Sequence, residues 1–201
     1  MQPTLDRHAP SEIPSWVPTG ARHYLDHTEA GLSIRHLARV AGCHASTVLR
    51  QVRRIETLRD DPLIDAALCD LAVRHRSRNS KEMSAMTVVP DLPDGETLTH
   101  EARRILRRLC ETGAVLAVSE GMDKSVVVRA DTRTAVVDTA IARALALKTW
   151  IACDAPGRIS RYRITAEGRA ELGRMVAAVE NRARGFAEAQ AGFDMGGGLG
   201  G

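Results

Sequence analysis

With 201 residues, 44% of them apolar, the chain can bury one large core or two small ones, and it contains no run of about eighteen apolar residues that would make a membrane span. Aromatics make up only 3%, while Ala, Leu, Val and Arg dominate, which favours helices packed through aliphatic stripes over a sandwich or barrel. A net charge of +3 permits nucleic-acid binding without demanding it, so the distribution of charge along the chain decides.

Residues 1–18 carry Pro3, Pro10, Pro14 and Pro18 without sustained periodicity and read as an irregular arm, with Trp16 placed to pin it to the first domain. A short helix is expected from Thr19 to His27, with Ala21, Tyr24 and Leu25 at helical spacing. Ser33 offers an N-cap to a second helix bearing Ile34, Leu37, Ala38 and Ala41 on one face, and Gly42 stops it. A third helix is expected from Ala45 to Leu58, and Asp61-Pro62 opens a fourth that buries Leu63, Ile64, Ala67, Leu68 and Leu71. Together these make a four-helix unit over residues 19–78.

Between residues 79 and 97 the pattern dissolves into Ser, Pro, Asp and Gly, the composition of a linker between two domains with separate cores. Thr99 is placed to cap the next helix, whose Ala102, Ile105, Leu106, Leu109 and Cys110 lie opposite Arg103, Arg104, Arg107 and Arg108. Val115 to Val118 and Val126 to Arg129 read as a hairpin around Glu120-Gly121-Met122-Asp123. Thr134 to Lys148 reads as an amphipathic helix, and Trp150 to Cys153 with Ile159 to Ile164 as a second hairpin around Pro156-Gly157. A long helix from Thr165 to about Ala189 comes next, and residues 191–201 read as a disordered Gly-rich tail. Cys43, Cys69, Cys110 and Cys153 are far apart with no CxxC pair, so reduced, mostly buried thiols are expected in place of a zinc or redox site. No basic N-terminal stretch leads into a short apolar core, which points to a cytoplasmic, nucleoid-associated protein.

The stretch Leu37-Ala38-Arg39-Val40-Ala41-Gly42-Cys43-His44-Ala45-Ser46-Thr47-Val48-Leu49-Arg50-Gln51-Val52 has the spacing of a helix-turn-helix. Small Ala38 lets two helices cross closely, Gly42 suits a left-handed turn, and Leu37, Val48 and Val52 supply a shared core. That leaves Ala45 and Ser46 to meet base edges, with Arg50 one turn further along and able to bind a guanine through two hydrogen bonds. Ser33 and Thr47 suit phosphate oxygens, and Arg53 and Arg54 add backbone contacts. Arg35, His44 and Leu49 complete the candidate set for double-stranded DNA. Local charge agrees: residues 22–59 hold seven arginines (22, 35, 39, 50, 53, 54, 59) and three acids (26, 29, 56), a difference of +4.

This stretch resembles the helix-turn-helix of lactose-repressor-class headpieces and of bacterial resolvases. It departs from them at His44, where a Ser or Thr N-cap is usual, and at Cys43, where Val is common. Further along, Arg161-Tyr162-Arg163-Ile164-Thr165-Ala166-Glu167-Gly168-Arg169 resembles the wing and following helix of winged-helix regulators. The likeness implies a minor-groove or phosphate role for Arg158, Arg161 and Arg163 and a recognition position for the helix from Thr134. Yet Ala135, Val136, Val137, Ala140, Ile141, Ala144 and Leu145 leave that helix few polar groups, so a core or protein-contact role stays open. The expected fold class is therefore mainly α: an N-terminal helix-turn-helix bundle and, over residues 98–190, a C-terminal α+β winged-helix-like domain with two β-hairpins.

Taken whole, the architecture resembles the gene transfer agent transcription activators of alphaproteobacteria. That resemblance implies activation of a phage-like gene cluster, with the C-terminal part engaging RNA polymerase; from the motif and its separate domain, deletion of residues 99–201 is expected to leave DNA binding detectable and to abolish activation. The alternative is a dimeric repressor with two DNA-binding modules. A homodimer is plausible in either case, because one helix-turn-helix makes few base contacts, although no heptad argues for it. A recombinase accessory or an enzyme would need an activated nucleophile or a carboxylate cluster, and Asp65 and Asp70 do not share a helix face. His23 and His27 lie four apart, with His36, His44 and Cys43 in the same unit, but no second ligand pair has metal-site spacing, so no metal or cofactor is expected.

Overall fold

In the computed structural model, which describes residues 13–79 and 91–195, seven helices and one five-stranded antiparallel sheet are present among the described residues. The expected arm, linker and Gly-rich tail fall in large part outside them.

The first half follows its apolar spacing closely. Helix α1 (Thr19–Thr28) buries Ala21, Tyr24 and Leu25, and α2 (Ile34–Val40) buries Leu37 and Ala38. Helix α3 (Ala45–Leu58) buries Val48, Val52 and Ile55 on one stripe, and α4 (Pro62–Asn79) begins after a short turn. Asp61 fixes that turn, because its carboxylate accepts the backbone N–H of Leu63 at 2.9 Å and of Ile64 at 3.4 Å. His75 of α4 is buried and meets the Asp26 carboxylate of α1 at 3.0 Å, tying those two helices together.

The second half departs from the expected pattern at several points. Helix α5 (Gly95–Leu109) begins four residues before Thr99. Its cap is Asp94, whose carboxylate accepts the Thr97 N–H at 2.8 Å and the Thr97 hydroxyl at 2.9 Å. These hydrogen bonds hold the Asp94 carboxyl below the ordinary carboxylate range. Thr99 lies inside the helix and returns its hydroxyl to the Gly95 carbonyl. The segment expected as a linker, residues 79–97, therefore overlaps α4 at Asn79 and α5 from Gly95.

Strands β1 (Val115–Ser119) and β2 (Lys124–Arg129) form the first hairpin, but the chain then turns at Ala130-Asp131 into β3 (Thr132–Asp138). Positive φ at both turn residues, 46° and 61°, gives the backbone twist that a tight hairpin needs. Thr132, Thr134, Val136 and Val137 are β-branched, and pairing with β2 outweighs the helical spacing read over the same residues. What remains of the expected 134–148 helix is α6 (Thr139–Leu147). Strands β4 (Ile151–Ala155) and β5 (Ile159–Ile164) form the second hairpin, and β5 pairs with β1, so the two hairpins join into one sheet of order β3-β2-β1-β5-β4.

Helix α7 (Ala166–Met195) is capped by Thr165, whose hydroxyl accepts the Gly168 N–H at 3.0 Å. Its backbone carries through residues 191–195, which the composition assigns to the tail: Gly192 lowers helix propensity without ending the helix, and the glycine run begins only at Gly196.

Helices α5 and α6 cover one face of the sheet, where Leu116, Val127, Val137 and Tyr162 are buried. Helix α4 buries a broad arc, Leu63, Ile64, Ala67, Leu68, Leu71 and Ala72, because it is packed on two sides, by α1 and more extensively by α6. Across this contact Arg143 donates to Asp70 at 2.7 Å. The wholly buried Tyr162 donates its hydroxyl to Asp61 at 2.9 Å, and burial beside that carboxylate pushes the phenol well above its ordinary value, keeping it a donor. Trp16 donates to the Pro93 carbonyl at 2.7 Å and accepts from Lys148, so the irregular segment before α1 packs against the second half. One contiguous apolar cluster runs from Val17 to Met175, and the two halves share it in place of separate cores. The thiols of Cys43, Cys69 and Cys110 are exposed, contrary to expectation, because they sit on turns and solvent-facing helix sides; Cys153 is half-buried.

Candidate nucleic-acid interface

Helices α2 and α3 meet through a tight turn in which Gly42 has φ +62° and the Cys43 N–H bonds back to the Ala38 carbonyl at 3.0 Å. The left-handed conformation at Gly42 costs a residue with a side chain about 1–2 kcal/mol. On the inner side Leu37 and Ala38 pack against the buried stripe of α3, and on α1 His23 Nδ1 lies 2.7 Å from Gln51 Oε1, which fixes the roll of α3. The remaining surface of α3 carries Ser46, Leu49, Arg50, Arg53 and Arg54, all exposed, with Ala45 and Thr47 partly covered.

His44 starts α3. Its Nδ1 accepts the Ser46 N–H at 3.3 Å and the Ser46 hydroxyl at 2.8 Å, so the imidazole replaces a Ser or Thr cap, with its ring proton on Nε2. His44→Ser keeps a cap and is expected to leave thermal stability nearly unchanged, whereas His44→Ala lowers it by about 1 kcal/mol. Equal melting temperatures for the two variants would remove His44 from the cap. Ser33 caps α2 by accepting the His36 N–H at 3.2 Å, and its hydroxyl proton remains available to a phosphate oxygen.

This surface is predominantly basic, with Glu56 the one acid on α3. Arg35, Arg39, Arg50, Arg53 and Arg54 make no ion pair among the described residues, although Arg50 Nε reaches the Ser46 carbonyl at 3.4 Å. The other two arginines of the basic stretch are engaged elsewhere: Arg22 donates to the Val17 and Pro14 carbonyls, and Arg59 to Asp65 and to the Tyr24 hydroxyl. Two of the three acids are also turned away, Asp26 to His75 and Glu29 to Arg76. A face lined by guanidinium groups that make no ion pair concentrates positive potential where a phosphate backbone would lie. Arg39, absent from the sequence-derived set, belongs to this face, and its position four residues after Arg35 on α2 is the signal that pointed there.

The second candidate set is weaker. Arg158, Arg161 and Arg163 are exposed on β5 and the turn before it, but Arg163 donates to Asp154 at 2.8 Å. Arg161 and Arg163 alternate with the buried Ser160, Tyr162 and Ile164 and so point away from the helices. Helix α6 is no reading helix: Ile141, Ala142, Ala144, Leu145, Ala146 and Leu147 are buried between α4 and the sheet. On the far side of α5, an open cleft of about 720 Å³ is lined by Arg103, Arg107, Val176 and Val179, with Arg104 paired to Glu101 and Arg108 to Glu111. Of the histidines weighed as metal ligands, His23 meets Gln51, His27 the Leu32 carbonyl and His44 the Ser46 hydroxyl, and Asp65 and Asp70 are paired with Arg59 and Arg143.

No protein-family model matches the chain, and neither a curated protein nor a solved structure is significantly similar to it.

Proposed function

We propose that the chain is a sequence-specific transcriptional regulator that binds double-stranded DNA by laying α3 in the major groove, with no catalysis of its own. The observation carrying this reading is the pairing of a firmly packed helix-turn-helix with five arginines that have no ion-pair partner among the described residues, all on α2 and α3. Arg50 would take a base edge, and Ser33, Thr47, Arg35, Arg53 and Arg54 the phosphates. The winged-helix-like assignment of the second half belongs to the same proposal as a likeness of fold alone, with the β4–β5 hairpin in the place of the wing and no DNA-reading role for α6.

Arg50→Ala tests the assignment directly. It is expected to weaken binding to a selected site by about 1 to 3 kcal/mol and to relax preference at one base pair, while binding to random duplex is unchanged. Arg54→Ala is expected to weaken both alike and to reduce the salt slope by about one unit. Equal losses on both DNAs for Arg50→Ala would contradict base reading.

Burial of α6 favours one kind of regulator. A repressor with two DNA-binding modules needs a second exposed reading helix, and the helix in that position is core. An activator needs a protein-binding face in the second half, and contact with RNA polymerase there, at the promoter of a phage-like gene cluster, is the reading we adopt. Two copies on a two-fold site would supply the base contacts that a single α3 lacks.

A further inference from the structure

We propose that Leu49 is a specificity-determining residue that reads a thymine methyl group, so that the target of α3 contains a thymine close to the guanine met by Arg50. The inference rests on the DNA-reading assignment above and deepens it. The reading side of α3 is otherwise polar, with Ser46, Arg50 and Arg53 exposed, and Leu49 is its one large apolar side chain. Leu49 is 37% exposed and lies outside the stripe of Val48, Val52 and Ile55 that packs on α1 and α2, so part of its side chain is open to a ligand.

Helical spacing sets what Leu49 can reach. It lies one turn after Ala45 and one turn before Arg53, while Arg50 lies one turn after Ser46. Ala45 packs against the core, so the apolar part of the outward surface is Leu49, and beside it runs a polar edge, Ser46 and Arg50. In the major groove the thymine C5 methyl is the only apolar group that base edges present, and guanine offers the paired acceptors N7 and O6 that a guanidinium fits. An apolar side chain one residue from a guanidinium group thus matches a thymine and a guanine on neighbouring base pairs. A cytosine at the thymine position would set its amino group against the Leu49 methyls without an acceptor, which leaves a polar group unpaired.

The test uses the full chain. A duplex site is first selected from a random library, and each thymine of that site is then replaced in turn by deoxyuridine, which removes only the methyl. At one position the wild type is expected to lose about 4-fold in affinity, the value of one buried methyl. Leu49→Ala is expected to bind the unmodified site more weakly by a similar factor and to be indifferent to deoxyuridine at that position. Its far-ultraviolet circular dichroism and melting temperature should match those of the wild type. A wild type insensitive to every deoxyuridine, or a Leu49→Ala variant that keeps the full sensitivity, overturns the proposal. If 7-deazaguanine, which lacks N7, still weakens binding in that case, the reading by Arg50 survives. A library from which no sequence is enriched overturns the DNA-reading assignment and this inference together.

Discussion

A fragment ending at Asn79, which keeps α1 to α4, is expected to lack a cooperative melting transition and, with it, the site-specific DNA binding proposed for α3. The side of α4 carrying Leu63, Ala66 and Asp70 faces α6 and the sheet, and truncation exposes it to water. Uncovering one Leu-sized side chain costs about 1.5 to 3 kcal/mol, and α4 also loses Tyr162 from Asp61 and Arg143 from Asp70. A domain of ordinary stability holds about 5 to 15 kcal/mol in total, so these losses together consume most of it. Differential scanning calorimetry and a binding assay on the selected site check this. A sharp transition with wild-type affinity would show that the first four helices fold by themselves, as the sequence pattern suggests.

Gly168→Ala is expected to destabilise the whole chain by about 3 kcal/mol, at the upper end of overpacking effects. A Cβ at Gly168 would sit 2.2 Å from the Trp150 carbonyl oxygen and 3.0 Å from both the Trp150 carbonyl carbon and Ile164 Cγ1. The obstacle is backbone, which cannot rotate aside, and the same carbonyl accepts the Thr165 N–H at 3.0 Å. Moving α7 outward would therefore strain the cap of α7 and the β4–β5 hairpin at once. For a chain of this size the shift in Tm is about 6 to 12 °C. Gly173→Ala is the control on the same helix, since a Cβ there meets nothing within 4 Å and the substitution is expected to stabilise by about 0.5 to 1 kcal/mol. Equal behaviour of the two variants would mean that α7 does not approach Trp150 closely.

The helices of the first half were legible because each signal in them is local. Ser33 caps α2, Gly42 takes a positive φ, and Ala21, Leu37, Val48 and Val52 recur at the period of a helix that buries one side. The α3 candidates were legible for the same reason, since whatever the apolar stripe does not use must face outward. His44 was harder, because a His cap depends on which ring nitrogen is unprotonated, and composition says nothing of that.

The second half was read less well where two periods competed. Residues 134–147 suit a helix by spacing, but Thr134, Val136 and Val137 pair with β2, and the partner strand lies outside any local window. The cap of α5 was missed because Asp94 and Thr99 both qualify, and only the geometry around Thr97 separates them.

The sequence by itself determined the helix-turn-helix, the residues that α3 turns outward and the basic character of that surface, because periodicity and capping act within a few residues. Tertiary structure alone decided that the two hairpins are one sheet, that α6 is core, and that α4 binds the helix-turn-helix to the second half. Those outcomes depend on contacts such as Arg143 to Asp70 and Tyr162 to Asp61, between residues far apart in the chain. Such contacts leave no periodic trace, since burial on two sides widens the apolar arc of α4 without naming its partners.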